Sequence, residues 1–104
     1  FFFFFILHIP HVQWATFADT KSMDPVLDAG MIGLQIVPQH PNHIHVGDII
    51  TYKQDGILII HRVIDIRHDT QGWYAITQGD NIPTPDPYKV RFEQVHRLLI
   101  GVLY

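Results

Sequence analysis

Short apolar segments rich in β-branched residues dominate this chain and largely decide its fold class. No window of ten or more residues combines a helical apolar period with capping residues, whereas Val, Ile, Tyr and Phe favour strands. In the third predicted strand, alternation places Val63, Asp65 and Arg67 on one face and Ile66 on the other. The predicted strands are residues 33–37, 48–53, 58–66, 73–78, 89–92 and 98–103. We therefore expect an all-β, mainly antiparallel protein with a curled or barrel-like sheet and little helix.

Residues that favour turns lie between these predicted strands. Asp55-Gly56 stands between two of them and predicts a two-residue hairpin turn. Residues 69–72 (Asp-Thr-Gln-Gly) predict a second hairpin loop. Residues 81–87 contain three prolines and predict an irregular surface loop.

The composition excludes several classes of protein. A length of 104 residues suits one domain. Hydrophobic residues make up 47% and charged residues 16%, which argues against disorder and suggests that part of the surface meets something other than water. The net charge of −3, without a long basic run, gives no sign of a nucleic-acid partner. Cysteine is absent, so disulfides, a thiolate nucleophile and cysteine zinc sites are excluded.

The start of the chain is apolar but short. Residues 1–7 are an unbroken apolar run, and a membrane-spanning helix needs about 20 residues. The run also lacks the basic segment and the small-residue cleavage site of a complete signal peptide. Three interpretations of residues 1–9 stay open: the end of a membrane anchor, an apolar edge dipping into lipid, or a buried strand. We expect this segment to precede a single domain over residues 10–104.

Three further segments carry residue types suited to chemistry. Residues 20–25 read Thr-Lys-Ser-Met-Asp-Pro, residues 59–64 place His-Arg within a β-branched strand, and residues 78–81 read Gln-Gly-Asp-Asn, with Asp86 following. A serine hydroxyl becomes a nucleophile when an imidazole removes its proton, and a carboxylate can orient that imidazole. Taken singly, each residue also has an ordinary structural explanation in a turn or a core.

The order of these motifs carries a resemblance. Ser-Met-x-Pro, then Val-Gly-Asp-Ile-Ile-x-Tyr (residues 46–52), His-Arg-Val-Ile and Gly-Asp-Asn with a second aspartate six residues past the first resemble the signal peptidase I family. The similarity is to its archaeal and endoplasmic-reticulum branch, and it covers about residues 20–103. It implies a membrane-associated serine endopeptidase that removes N-terminal signal peptides from exported proteins, cutting after small side chains.

The resemblance also implies roles for individual residues. Ser22 falls at the position of the nucleophile, and His61 falls at that of the general base. Asp86 matches the aspartate that completes the site, with Asp80 as the alternative carboxylate. The Ser22 backbone N–H and the Thr20 hydroxyl would hold the oxyanion.

Substrate and surroundings follow from the same resemblance. The leader peptide would lie extended along an exposed strand edge, and Arg62 would pair with a carboxylate. The expected substrate-binding residues are Met23, Gly33, Leu34, Gln35, Ile36 and Val37. The resemblance implies no cofactor and no metal. Its expected partners are signal peptides of exported preproteins, membrane lipid and accessory membrane subunits or further copies of the chain. The active site would face the extracytoplasmic or lumenal side of the membrane.

Other interpretations stay open beside this one. A self-cleaving repressor-type serine peptidase would share the β-rich architecture but uses a lysine base, against which His61 argues. A non-catalytic β module with the same fold would serve binding or assembly. The histidines within residues 40–45 invite a zinc interpretation, but no cysteine or clearly placed carboxylate stands beside them, which favours a polar surface loop.

Overall fold

The computed structural model describes residues 12–16, residue 23 and residues 32–103. Residues 1–9, with their three interpretations, lie outside this part of the chain. Two 3-10 helices, Pro41–His43 and Phe92–Gln94, are single turns. The strands within the described residues are β1 (Val12–Thr16), β2 (Ile32–Ile36), β3 (Ile49–Gln54), β4 (Ile57–Asp69), β5 (Gly72–Gln78), β6 (Val90–Arg91) and β7 (Val95–Leu103).

These strands form one antiparallel sheet with the order β1-β2-β7-β3-β4-β5-β6. Among the described residues no pairing joins β1 to β6, so the sheet is open rather than closed into a barrel. The prediction of an all-β, mainly antiparallel protein with little helix is confirmed. The six predicted strands agree with β2 to β7 to within three residues at each end, whereas β1 was not predicted.

Two hairpin turns set the register around β4. Asp55 and Gly56 both have positive φ angles, 52° and 78°, which a two-residue type I′ turn requires. Gln54 pairs with Ile57 across this turn. Asp69 pairs with Gly72 across the next turn, where the Gln71 backbone N–H donates to the Asp69 carboxylate at 2.9 Å. Both predicted hairpins are confirmed.

The long strand β4 pairs with different neighbours along its length. Residues 57–62 pair with β3, and the pairing with β5 begins at Arg62 and runs to Asp69. Among the described residues, residues 57–61 have no strand on the β5 side. The backbone groups on that side of the segment are therefore not used in any described ladder.

Apolar side chains pack on both faces of the sheet. One face carries the larger buried cluster, and the other carries a smaller cluster in which Met23 and Ile49 pack with Ile60 and Leu99. Removing such side chains from water contributes about 25 cal/mol per Å² of apolar area, which makes burial the main stabilising term. The larger cluster contains Ile44, Ile50, Tyr52, Val63, Ala75, Val90 and Leu98.

A register shift in β4 overturns the predicted alternation of its side chains. Val63 pairs with Thr77 of β5, but Asp65 pairs with its neighbour Ile76, so β4 contains an extra residue. The phase of alternation changes at such a bulge. Val63 is fully buried and Ile66 packs against the same core, whereas Asp65 and Arg67 form an exposed ion pair. The prediction that Val63, Asp65 and Arg67 share one face, opposite to Ile66, was therefore wrong.

Candidate active site

Two elements bring a histidine and an aspartate together. His61 lies on β4 one residue before the pairing with β5 begins. Asp86 lies in the irregular loop between β5 and β6, as the prolines predicted. The backbone N–H of Asp86 donates to the Thr77 carbonyl at 2.8 Å, which fixes the loop beside β5.

The His61 ring and the Asp86 carboxylate are in direct contact. His61 Nδ1 and Asp86 Oδ2 are 2.7 Å apart, and the two side chains are only 9% and 10% exposed. A carboxylate accepts hydrogen bonds and donates none, so Nδ1 carries the proton in this pair and Nε2 of the neutral ring keeps its lone pair. Nε2 is therefore the atom that can take a proton from a hydroxyl group.

Two buried hydroxyl groups also bind Asp86. Tyr52 and Thr77 donate to the same oxygen, Oδ2, at 3.0 and 2.7 Å. The Tyr52 hydroxyl also contacts that of Tyr88 at 2.9 Å. Burial raises the pKa of Tyr52 far above its usual range, so its hydroxyl keeps the proton that it donates. The sequence analysis missed both donors; the only signal would have been hydroxyl side chains among the apolar residues of two strands.

Asp80 forms an ion pair with Arg62 and does not contact His61. Its two carboxylate oxygens accept hydrogen bonds from Arg62 Nε and Nη2 at 2.9 and 2.8 Å. Arg62 Nη1 also donates to the Gly47 carbonyl at 2.7 Å. The hydrogen bond to Asp80 raises the pKa of Arg62. Of the two candidate carboxylates, Asp86 contacts His61, and Asp80 contacts the arginine for which the sequence predicted a carboxylate partner.

Ser22 and Thr20 lie outside the described residues, so their predicted roles as nucleophile and oxyanion donors stay predictions. The neighbouring Met23 is described and is 3% exposed, packed against Ile49. Its sulfur accepts a hydrogen bond from the backbone N–H of Asp80 at 3.2 Å. Met23 therefore offers little surface for the substrate contact that was predicted for it, and instead packs against the sheet beside the Arg62–Asp80 pair.

The predicted substrate edge is not an edge. Strand β2 pairs with β1 on one side and with β7 on the other. Its backbone groups are thus used within the sheet, and Gly33 and Gln35 are buried. The prediction that the strand formed by Gly33, Leu34, Gln35, Ile36 and Val37 is an exposed edge was therefore wrong, because β1 and β7 pair with β2 on its two sides.

The histidine-rich segment lines an open groove of about 760 Å³ on another part of the surface. His40 and His45 contribute to it together with His68 and Trp73 from the β4–β5 hairpin. Within the described residues, no group of three or more His, Asp or Glu side chains is arranged to hold a metal ion.

No protein-family model matches this chain, and no curated protein matches it at a significant level. Among the residues that the structure describes, no helix has the length and apolar character needed to cross a membrane. The similarity to the signal peptidase I family therefore depends on the quoted motifs and on the arrangement of the residues they contain.

Proposed function

We propose that this protein is a serine endopeptidase of the signal peptidase type, which removes N-terminal leader peptides from exported proteins. The observation that carries the proposal is the buried His61–Asp86 pair, joined at 2.7 Å through Nδ1 so that Nε2 is left as a base. A histidine held in this tautomer by a carboxylate is what a base-activated serine requires. The order of the motifs around the pair supports the same function.

In the proposed reaction, His61 Nε2 removes the Ser22 proton as Oγ attacks the carbonyl carbon of the last residue of the leader. The Ser22 backbone N–H and the Thr20 hydroxyl stabilise the oxyanion. The imidazolium, stabilised by Asp86, then donates its proton to the leaving amine. Water, deprotonated by the same ring, hydrolyses the acyl-enzyme and restores the serine.

The position of Met23 supports a nucleophile close to β4. Met23 directly follows Ser22, and consecutive Cα atoms are about 3.8 Å apart. Met23 packs with Ile60, the residue before His61, and accepts a hydrogen bond from Asp80. Because Ile60 and His61 point to opposite faces of β4, the proposal requires Ser22 to approach Nε2 around the side of β4 that β5 does not cover.

The same uncovered side offers a substrate edge in place of β2. Residues 57–61 have no described strand partner there, and Ile57 and Leu58 are exposed. An extended leader peptide can add to such an edge through backbone hydrogen bonds. The edge runs directly to His61, so a peptide bound along it would be led to the proposed base. Signal peptides of exported preproteins, bound at a membrane surface, remain the proposed substrates.

Ser22 is the only serine in the chain, which makes the test unusually clean. Wild-type protein and Ser22→Ala are incubated with a leader-bearing preprotein in lipid vesicles, and mass spectrometry identifies the products. We expect cleavage after a small residue by the wild type and none by the variant, with an unchanged circular dichroism spectrum. Thr51→Val, a buried hydroxyl deletion on β3, is the matched control and should cleave normally.

Each contrary result removes a specific part of the proposal. Full activity of Ser22→Ala would exclude Ser22 from the mechanism. Binding of the leader without cleavage by the wild type would favour the non-catalytic module. Activity that survives His61→Gln would exclude the histidine base, on which the assignment to this branch of the family depends.

A further inference from the structure

One carboxylate oxygen of Asp86 accepts hydrogen bonds from three donors. His61 Nδ1, the Thr77 hydroxyl and the Tyr52 hydroxyl lie 2.7, 2.7 and 3.0 Å from Oδ2. The three donors come from strands β4, β5 and β3 respectively, and none belongs to the loop that carries Asp86. We propose that Tyr52 and Thr77 are positioning residues, which hold the Asp86 carboxylate against His61. The inference rests on the proposed function for its kinetic consequence, but not for its structural one.

The hydroxyl protons can be assigned by counting donors. A hydroxyl group has one proton, and an ionised carboxylate has none. Thr77 and Tyr52 both donate to Asp86, and the Tyr88 hydroxyl, 2.9 Å from that of Tyr52, can supply the proton of that contact. Each hydroxyl group then has one donor role: the Thr77 and Tyr52 hydroxyls donate to Oδ2, and the Tyr88 hydroxyl donates to the Tyr52 oxygen.

Satisfying the buried Tyr52 hydroxyl does not by itself require a carboxylate. Tyr52 is fully buried and needs a hydrogen-bond partner, but Thr77 Oγ1 at 3.0 Å and Tyr88 at 2.9 Å would already provide two. Asp86 depends more strongly on the two hydroxyl groups than they depend on it. Asp86 lies in an irregular loop with three prolines, and its side chain has no strand of its own to fix its direction.

Thr77 fixes Asp86 at two points. Its carbonyl accepts the Asp86 backbone N–H at 2.8 Å, and its hydroxyl donates to the carboxylate at 2.7 Å. Backbone and side chain of Asp86 are thus both tied to one residue of a strand. Because catalytic groups have to be held within a fraction of an ångström, loss of the hydroxyl should misalign the carboxylate and reduce turnover more than substrate binding.

The first measurement is independent of catalysis. In protein labelled with ¹⁵N-histidine, the His61 Nδ1–H proton is assigned by its loss in His61→Gln. A proton held by a carboxylate resonates at low field and exchanges slowly with water. We expect the signal in the wild type, and we expect it to move upfield and to broaden by exchange in Thr77→Val and Tyr52→Phe. Thr51→Val, the matched threonine deletion on β3, should retain it.

The second measurement separates positioning from binding. We expect Thr77→Val to lower kcat about tenfold with KM within about twofold, which corresponds to about 1.4 kcal/mol in the barrier. Thr77→Ser restores a hydroxyl at the same site and should recover most of the rate. Tyr52→Phe provides the same test if Thr77→Val does not fold.

The outcomes distinguish the two proposals. An unchanged His61 signal in the folded Thr77→Val or Tyr52→Phe protein would overturn the positioning role, whatever the activity. A wild-type protein without a low-field signal would also contradict it. If the signal behaves as expected but the wild type cleaves no leader-bearing preprotein, the proposed function fails, and the two hydroxyl groups still stand as the residues that position the pair.

Discussion

Replacing Asp86 with asparagine changes the charge of this side chain while keeping its size. The amide offers an N–H₂ group where the carboxylate only accepted hydrogen bonds. If that group turns towards His61, it can donate to Nδ1, and the ring proton then moves to Nε2. The atom that should take the serine proton is in that case already protonated, so the variant keeps the residues of the site but loses its base.

The free-energy cost can be worked from the three bonds at Oδ2. A hydrogen bond to a charged group contributes about 1.5–3 kcal/mol to stability, and a neutral hydrogen bond contributes about 0.5–1.5 kcal/mol. Replacing the carboxylate with an amide should therefore weaken each of the three hydrogen bonds by about 1 kcal/mol. Because the carboxylate is only 10% exposed, removing its charge recovers part of its desolvation cost. We expect a net loss of about 1–3 kcal/mol in the free energy of unfolding, and a decrease of about 10³- to 10⁴-fold in kcat.

Urea denaturation measures the first quantity, and single-turnover cleavage of a leader-bearing preprotein measures the second. Asp80→Asn is the control, since the Asp80 carboxylate also accepts charged hydrogen bonds but pairs with Arg62 in an exposed position. It should lose at most about 1 kcal/mol of stability, as is usual for an exposed ion pair, and at most about tenfold in rate, because its ion pair does not touch the base. A smaller loss of activity in Asp86→Asn than in Asp80→Asn would refute the assignment of the two carboxylates.

Three further predictions concern stability. The hydrogen bonds from Arg91 and Lys89 lower the pKa of Asp69 far below its usual value of 3.8, so the stability that they contribute is present at neutral pH and is lost as the pH falls below about 4. Asp69→Asn should therefore flatten the acid side of the curve of unfolding free energy against pH, and an unchanged acid side would contradict this. Gly56→Ala should cost about 1 kcal/mol in urea denaturation because φ is 78°, whereas Gly101→Ala, whose new Cβ would meet its nearest neighbour at 3.9 Å, should be nearly neutral; equal costs would refute the argument. The buried Thr51 hydroxyl has no hydrogen-bond partner among the described residues, so Thr51→Val should stabilise the protein by about 0.5–1 kcal/mol in the same assay, and a clear loss of stability would contradict it.

The fold could be predicted where local chemistry decides it. The Asp55-Gly56 turn fixes the β3–β4 register because both positions need positive φ, and few residue pairs other than Asp-Gly and Asn-Gly meet that need. The order of the strands could not be predicted in this way. Strand β2 was taken for an edge, yet β7, more than 60 residues later in the chain, pairs with it.

The bulge in β4 lay equally beyond prediction. The sequence of residues 57–69 shows which residues are apolar, but the extra residue exists only relative to β5. Strand β1 was missed because Val12–Thr16 is only five residues long and its apolar pattern is weak.

The sequence predicted the histidine and the aspartate of the site but not the hydroxyl groups that bind the aspartate. The motif order indicated both His61 and Asp86, and their separation of 25 residues is closed by the hairpin and the loop after β5. Tyr52 and Thr77 carry no motif that marks them as neighbours of Asp86. They reach Asp86 because β3 and β5 lie on either side of β4 in the sheet. This arrangement brings together Asp86 and two residues that lie 34 and 9 positions before it in the chain. The catalytic roles of Ser22 and His61 stay predictions until cleavage is measured.

The adjacent pair His61-Arg62 imposes a length on the loop after β5. Consecutive strand residues point to opposite faces, so Asp80 meets its arginine on one side of the sheet and Asp86 meets its histidine on the other. The six steps between the two aspartates can span at most about 20 Å, and within that distance the chain must go around the end of β5. A deletion between them should therefore break either the Arg62–Asp80 ion pair or the His61–Asp86 hydrogen bond, while an insertion should weaken both. The spacing between Asp80 of the Gly-Asp-Asn motif and Asp86 is therefore just long enough for the chain to pass from one face of the sheet to the other.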